Sequence, residues 1–349
     1  MNDSDICSRV LETLMRFPSW TLLSHMKPDG DTIGAASALF EAGVKSGRKP
    51  RWIGPDSLPP AYLFLSHTGA YETVKEYSFL DGLCVFVDCA NERRSVVGFP
   101  PAEGGAFALN IDHHEDNTLY GTMNCVVPSA SSTSEIVWRV LSASPELLTP
   151  EAARSLYTGI TADTGGFAFS NTGVTTHLAA ADLIEKGAKP AEIDAALKQN
   201  RTLAGTRLWG AAMSRVVTWG SSTMPCGDGR TAPFAMSWLT REDFKERGAE
   251  AHDTDSLVNQ LLMIRGVTFA VLLSEGGDGS PDNGGHEIRV SLRSRSGSFP
   301  CAPVARELGG GGHPCASGTL MHMPMEDAIR TVRETVDRLY AEWTEQGRL

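Results

Sequence analysis

Short apolar runs, each closing on a polar or charged residue, recur through the first half of the chain. Residues 20–25 (WTLLSH) read as a strand, followed by the loop MKPDGDT. Residues 33–47 (IGAASALFEAGVKSG) have helical spacing, with Gly47 near the end. Residues 50–54 (PRWIG) form a short strand pattern. Residues 83–88 (LCVFVD) and 106–112 (AFALNID) are nearly unbroken apolar stretches ending in aspartate, as expected of buried parallel strands. Helical patterns follow at 131–143, from Thr149-Pro150-Glu151 to about 162, near 176–187 and at 190–200. Thr149 supplies an N-cap, Pro150 a first-position proline and Glu151 a first-turn acid. The alternation predicts an α/β fold, a mostly parallel sheet with helices on both faces.

After about residue 200 the pattern changes. Residues 201–220 move from helix toward strand, and 221–232 are turn-rich. Strands are predicted at 234–240, 267–275 and 286–295, the last two joined by the glycine-rich stretch 276–285. Helices are predicted at 255–266 and 324–343. This reads as a smaller C-terminal α/β domain. The expected division is residues 1–200, a connecting segment at 201–215, and a second domain at 216–349.

Composition narrows the class. The 349 residues are 41% hydrophobic and 21% charged, enough for a sizeable core. The net charge of -11 argues against a surface that coats long nucleic acid, yet allows a short phosphorylated ligand in a local basic pocket. No apolar run is long enough to span a bilayer, and the acidic, helical N-terminus lacks the features of a signal peptide. The seven cysteines include no CxxC pair and fit reduced thiols in the cytoplasm, with Cys89 and Cys315 expected to be small buried groups.

The candidate chemistry sits where strands end. His25 closes the first strand, and Asp29 and Asp31 follow it. Asp88 closes another, and Asp112-His113-His114 a third. Asp163 follows a helix within TGITADTGGF. Ligands of open parallel sheets bind beyond these carboxyl ends. Singly, such residues are ordinary caps, turn formers and rim histidines. Together, four carboxylates and two imidazoles in one crevice repel one another unless cations intervene. Two divalent ions, manganese foremost with magnesium, cobalt, iron(II) or zinc as alternatives, match that donor set. One bridging carboxylate would hold them roughly 3.5–4 Å apart.

The second half offers anion handles. In residues 286–295, period-2 spacing puts Arg289, Ser291, Arg293 and Arg295 on one strand face. In GGGGHPCASG (309–318), Gly310, Gly311 and Gly312 let backbone N–H groups approach an anion, with His313 as a further donor.

The stretches HMKPDGDTIGAASAL, VDCAN, IDHHEDN and TGITADTGGFAFSNT resemble the four motifs of the DHH phosphoesterase superfamily. GGGGHPCASG resembles the GGGH motif of the substrate domain in its RecJ and oligoribonuclease branches. The likeness covers nearly the whole chain. It implies a DHH domain followed by a GGGH substrate domain. It also implies that His25, Asp29 and Asp88 hold one ion, and that Asp31, Asp88, His113 and Asp163 hold the other. Asp112 would orient an imidazole, and His114 would face the scissile phosphate. Asn117 and the hydroxyls near Ser131 and Ser132 would steady site or substrate, with a turn and a helix N-cap as the equal alternative. Arg293, Arg295 and the Gly310–His313 stretch would hold the far end of the substrate.

The implied reaction is hydrolysis of short oligonucleotides to nucleoside monophosphates, dephosphorylation of pAp, or both, by a metal-activated water attacking phosphorus in line. A linear or cyclic dinucleotide phosphodiesterase is one alternative, and a catalytically silent nucleotide-binding regulator another. The implied partners are short single-stranded RNA or DNA, pAp or dinucleotides, with a homodimer and no membrane. Ala168 stands where relatives often carry arginine, which bears on substrate preference rather than on metal chemistry.

Overall fold

The computed structural model describes residues 3–76, 82–96, 106–199, 201–220, 233–254, 256–275, 287–295 and 299–348. The turn-rich 221–232 and glycine-rich 276–285 stretches of the sequence reading lie outside them. The chain divides into two compact units, Met1–Asn200 and Arg201–Leu349.

The first unit contains α1 (Asp3–Arg16), β1 (Ser19–Leu23), α2 (Gly30–Lys45), β2 (Lys49–Gly54), β3 (Tyr71–Thr73), β4 (Leu83–Val87), β5 (Phe107–Asp112), β6 (Met123–Val126), α3 (Thr133–Ser142), α4 (Pro150–Asp163), α5 (Val174–Glu185) and α6 (Pro190–Lys198). Its six strands run in the order β3-β2-β1-β4-β5-β6. Every pairing is parallel. Growth of the sheet reverses between the neighbours β1 and β4, which is where open α/β sheets leave a crevice beyond the strand ends.

Successive strand residues face opposite sides. Leu22, Trp52, Val85, Leu109 and Ile111 join a large cluster to which all six helices contribute, through residues such as Leu14, Leu39, Val137, Leu156, Leu183 and Ile193. Each fully buried side chain of this size contributes roughly 1.5–3 kcal/mol. Leu23, Ile53, Phe86 and Ala108 join a smaller cluster with Cys89, Val96 and Tyr120. No helix contributes to that second cluster among the described residues. Among the described residues, side chains after β4 and β5, such as Cys89, Val96 and Tyr120, cover that face.

Two features position the site. Helix α2 starts at Gly30, three residues before the predicted start, because Asp29 caps it. Asp29 Oδ1 accepts the N–H groups of Asp31 (3.1 Å) and Thr32 (3.3 Å). Helices α2 and α4 meet at glycines: a Cβ on Gly34 would lie 2.5 Å from the Ser155 carbonyl, and one on Gly159 would collide with the Ser134 hydroxyl.

The second unit contains α7 (Leu203–Ser214), β7 (Val217–Trp219), β8 (Phe234–Leu239), α8 (Arg241–Arg247), α9 (Leu257–Leu261), β9 (Phe269–Glu275), β10 (Glu287–Ser294), α10 (Cys301–Glu307), β11 (Gly311–His313), β12 (Ala316–His322) and α11 (Met325–Glu345). The sheet order is β11-β12-β10-β9-β8-β7, with only β8 and β9 parallel. Ile288, Val290 and Leu292 of β10 pack in one cluster with α10 and α11. A second cluster joins α7, α8 and α9 to Ala235, Ala270 and Leu272. The helix predicted at 255–266 is much shorter, Leu257–Leu261.

The GGGGH stretch is not an open loop. Gly309 (φ 83) follows the end of α10, and the Gly310 N–H donates to the Ala305 carbonyl (2.7 Å). Gly311–His313 then pairs antiparallel with β12 around Pro314-Cys315. Gly312 (φ 137) approaches the facing strand so closely that a Cβ would lie 2.6 Å from the Ala316 carbonyl. The glycines serve this hairpin, which the sequence reading missed together with β12. Cys315 is exposed rather than buried, because it stands at the hairpin turn; Cys89 is buried as expected.

Candidate metal centre

The site is assembled beyond the carboxyl ends of β1, β4 and β5 and at the facing ends of α2, α3 and α4. His25 follows β1. Its Nδ1 lies 2.8 Å from the Met26 carbonyl, so Nδ1 carries the proton and the Nε2 lone pair is left to bind a metal ion. Nε2 lies 3.5 Å from Asp88 Oδ2 and 3.9 Å from Asp29 Oδ1. Asp88 follows β4 with φ 59, a left-handed conformation unusual for aspartate. The Asp88 N–H donates to the Ile111 carbonyl (2.9 Å), and the Thr133 hydroxyl donates to Asp88 Oδ1 (3.0 Å). These bonds hold the strained backbone and aim the carboxylate.

Asp31 sits in the first turn of α2 and faces the start of α3. Its oxygens accept the N–H groups of Thr133 (2.6 Å) and Ser134 (2.8 Å), free donors at a helix N-terminus. His113 follows β5, and its Nε2 is 3.7 Å from both Asp88 Oδ1 and Asp163 Oδ2. Asp163 ends α4, where Asn171 donates to its carboxylate (3.3 Å).

Three overlapping groups of donor atoms result: His25, Asp29 and Asp88; Asp31, His113 and Asp163; and Asp88, His113 and His114. His113 approaches Asp88 as well, so the clusters adjoin. Asp31 and Asp88 are each only 2% exposed. Burial raises the Asp31 pKa. Burial, reinforced by the charges of Asp31 and Asp29, raises that of Asp88 well above the usual carboxylate range. Burial and the Asp31 charge push Asp163 up to about 7. Carboxylates so placed are poorly compensated by the protein alone, and a cation relieves them. The donors are oxygen and imidazole nitrogen. Cys89 is no ligand, since burial pushes its thiol up to about 11 and it donates to the Asn91 carbonyl (3.1 Å). The residues present therefore fit hard or borderline divalent ions.

Asp112 is fully buried and lies behind this layer. Its Oδ1 accepts from the N–H groups of His113 (2.8 Å) and His114 (3.3 Å) and lies 2.8 Å from His114 Nδ1. Burial works to raise the Asp112 pKa, but these bonds and one from Asn117 hold it below the usual range. The same Asp112 bond pushes His114 up to about 9.

Several expected substrate contacts have other work. Ser132 is the N-cap of α3, buried, with its hydroxyl accepting from the Glu135 N–H (3.1 Å). Ser131 donates to the buried Glu135 carboxylate (2.6 Å). Asn117 donates to Asp112 Oδ2 (2.5 Å), and its own oxygen accepts from the Leu119 N–H (2.7 Å). Arg295 donates to the carbonyls of Val267 (2.9 Å) and Leu262 (2.6 Å), which ties it to the fold. Gly310 uses its N–H at the end of α10. Arg293 differs: among the described residues no carboxylate pairs with it, and burial lowers its pKa. The His313 side chain lies outside the described residues. Thr133 and Ser134 were missed by the sequence reading. So was Tyr62, whose ring closes over Gly30 beside Asp29; burial and the Asp29 charge push its hydroxyl up to about 12.

Fold and site define a metal-dependent phosphoesterase of the DHH type. Residues 20–160 match the DHH family, N-terminal domain, and residues 233–342 match the DHHA1 domain. The bifunctional oligoribonuclease and PAP phosphatase NrnA of Thermus thermophilus is 32% identical over 317 residues, which cover 90% of this chain and 88% of that protein. Its namesake in Bacillus subtilis is 26% identical over 318 residues, covering 90% and 93%. The crystal structure of an exopolyphosphatase-related protein from Bacteroides fragilis shares the fold, with a TM-score of 0.81 at 23% identity, covering 97% of this chain and 98% of that one. The chain belongs to the DHH phosphoesterase family, in the group of the bifunctional oligoribonuclease and PAP phosphatases. No helix of the described residues is long and apolar enough to cross a membrane.

Proposed function

We propose that the chain hydrolyses short oligonucleotides to nucleoside monophosphates and removes the 3′-phosphate of pAp. The observation that carries this reading is the set of adjoining donor groups, joined through Asp88 and His113, at the switch point of the parallel sheet. The names of the Thermus and Bacillus relatives support the choice of substrates. His25, Asp29 and Asp88 would hold one divalent ion, and Asp31, Asp88, His113 and Asp163 a second, with manganese the first candidate. Such ions supply Lewis-acid stabilisation of phosphoryl oxygens and lower the pKa of water.

The remaining roles belong to side chains. Asp88, fixed by Thr133 and its own strained backbone, holds the adjoining groups at one spacing. His114, kept cationic by Asp112, presents Nε2–H to a phosphoryl oxygen or to the leaving oxygen, where it donates a hydrogen bond or a proton. Asp112 and Asn117 fix that imidazole. In the second unit, Arg293 and the Gly311–His313 strand would bind a terminal phosphate. The partly buried guanidinium of Arg293, which no carboxylate pairs among the described residues, supports this, because an anion would relieve the cost of its burial.

The test is product identification. Purified protein with manganese would be offered labelled two- to five-nucleotide RNA, pAp, linear pApA, cyclic di-AMP and pyrophosphate. Mononucleotides from RNA and phosphate from pAp are expected. Cleavage confined to the dinucleotides would replace this reading with the dinucleotide phosphodiesterase. Binding of all these compounds without turnover would replace it with a regulator.

A further inference from the structure

The loop after α4 carries two phenylalanines in opposite surroundings. Phe167 turns inward, its ring 5.7 Å from Tyr157 and stacked on His177 at 5.5 Å. Phe169 is 60% exposed and has no aromatic partner among the described residues. The loop that presents it is nevertheless tied down. The N–H groups of Ala168 and Phe169 both donate to the Thr164 carbonyl (2.9 Å each), and the Thr172 N–H donates to the Phe169 carbonyl (3.1 Å). The Phe167 N–H donates to the Thr164 hydroxyl (3.0 Å), and Asn171 donates to the Ser131 carbonyl (2.9 Å).

The outer end of the Phe169 ring lies across Gly165. A Cβ at Gly165 would stand 2.5 Å from Cε1 and 2.7 Å from Cε2 of the ring. Gly165 also has φ 58, so glycine is needed there twice over: for the backbone and for the ring above it. The ring is thus docked on the loop that Asn171 ties to Asp163, through its carbonyl (3.2 Å) and its carboxylate (3.3 Å), and that carboxylate belongs to the candidate metal centre. A rigid aromatic face left in water beside a polar centre gains its burial only when a ligand covers it. The ligand must bring a flat apolar surface and a phosphate together, and a nucleotide does so.

We propose that Phe169 is the stacking platform for the base of the nucleotide whose phosphate enters the metal centre. This rests on the phosphoesterase reading above and adds base recognition to it. Stacking on a ring has no donor or acceptor pattern, so it separates nucleotides from base-free phosphates without separating one base from another.

The test compares kcat/KM for pAp with that for its base-free analogue, ribose 3,5-bisphosphate, with manganese. The wild type should prefer pAp by about tenfold or more, the range expected for one stacked base. Phe169→Ala and Phe169→Leu should bring that ratio close to one, since leucine keeps apolar bulk but not the flat face. Phe169→Trp should preserve it. A ratio unchanged in Phe169→Ala would overturn the proposal, as would a leucine variant that matches the wild type. Equal turnover of both substrates by the wild type would overturn the stacking alone. Turnover of neither would remove pAp from the proposed substrates, and the stacking of its base with it.

Discussion

Asp112 fixes His114 from behind the layer of proposed metal ligands. Its Oδ1 gathers both following N–H groups and His114 Nδ1, while Asn117 holds the other oxygen. Replacing it as Asp112→Asn leaves the proposed ligands in place but loosens His114. We expect kcat to fall roughly 10- to 100-fold, typical of groups that orient a site residue, with bound metal measured by atomic emission close to wild type. Loss of metal in step with activity would make Asp112 a support of the ligands instead. Much at this scale was legible in sequence. The ends of β1, β4, β5 and α4 each carry a polar group, and a parallel sheet sends strand ends to one edge. Thr133 and Ser134 were not legible, because they hold Asp31 chiefly through backbone N–H groups, which every residue but proline possesses. Ser132 is the helix N-cap that the sequence offered as its equal alternative, whereas Arg295 misled for the converse reason: a guanidinium in sequence does not reveal that the fold already uses it.

Among elements, the crossing of α2 and α4 is what brings Asp31 toward Asp163. A methyl at Gly159 would collide with the Ser134 hydroxyl and lie 3.1 Å from Asp31 Oδ1. Gly159→Ala should destabilise the protein by about 1–3 kcal/mol and lower metal occupancy together with activity; urea unfolding and metal analysis would check both. A variant of wild-type stability and occupancy would show that the helices can part without disturbing Asp31. In the second unit, Asp243 closes the first turn of α8 on Thr240 and is gripped by Arg215 (2.9 Å). Burial would raise the Asp243 pKa, but the bonds from Arg215 and Thr240 hold it at about 2. A folded pKa below the unfolded value gives stability that is present above about pH 4 and lost as pH falls toward 2. Asp243→Asn should therefore cost on the order of 2 kcal/mol near pH 6 and progressively less below pH 4. A cost that is constant with pH would assign the effect to packing. Sequence did not yield the short elements β3, β6, α8 and α10, nor the β11–β12 hairpin. Four successive glycines carry no side-chain pattern, and only the facing strand reveals that they pair.

For the whole molecule, the net charge of -11 and a site for very short substrates belong together. A long strand would need an extended basic groove, whereas a few phosphates need a few local cations. Each phosphate neutralised on a single strand contributes about -0.7 to the slope of log affinity against log salt. The slope for pAp should accordingly be shallower than about -2, and Arg293→Ala should flatten it further for a short RNA. A steep slope would point to a long nucleic acid. Two ions held around one shared carboxylate are the core of the proposed mechanism, and the metal content of the active protein and of its Asp88→Ala variant checks this. The account predicts two manganese ions per chain in protein that hydrolyses pAp, and at most one, with hydrolysis abolished, in Asp88→Ala. Full activity with a single ion per chain, or an Asp88→Ala variant that keeps both ions and normal turnover, would contradict it.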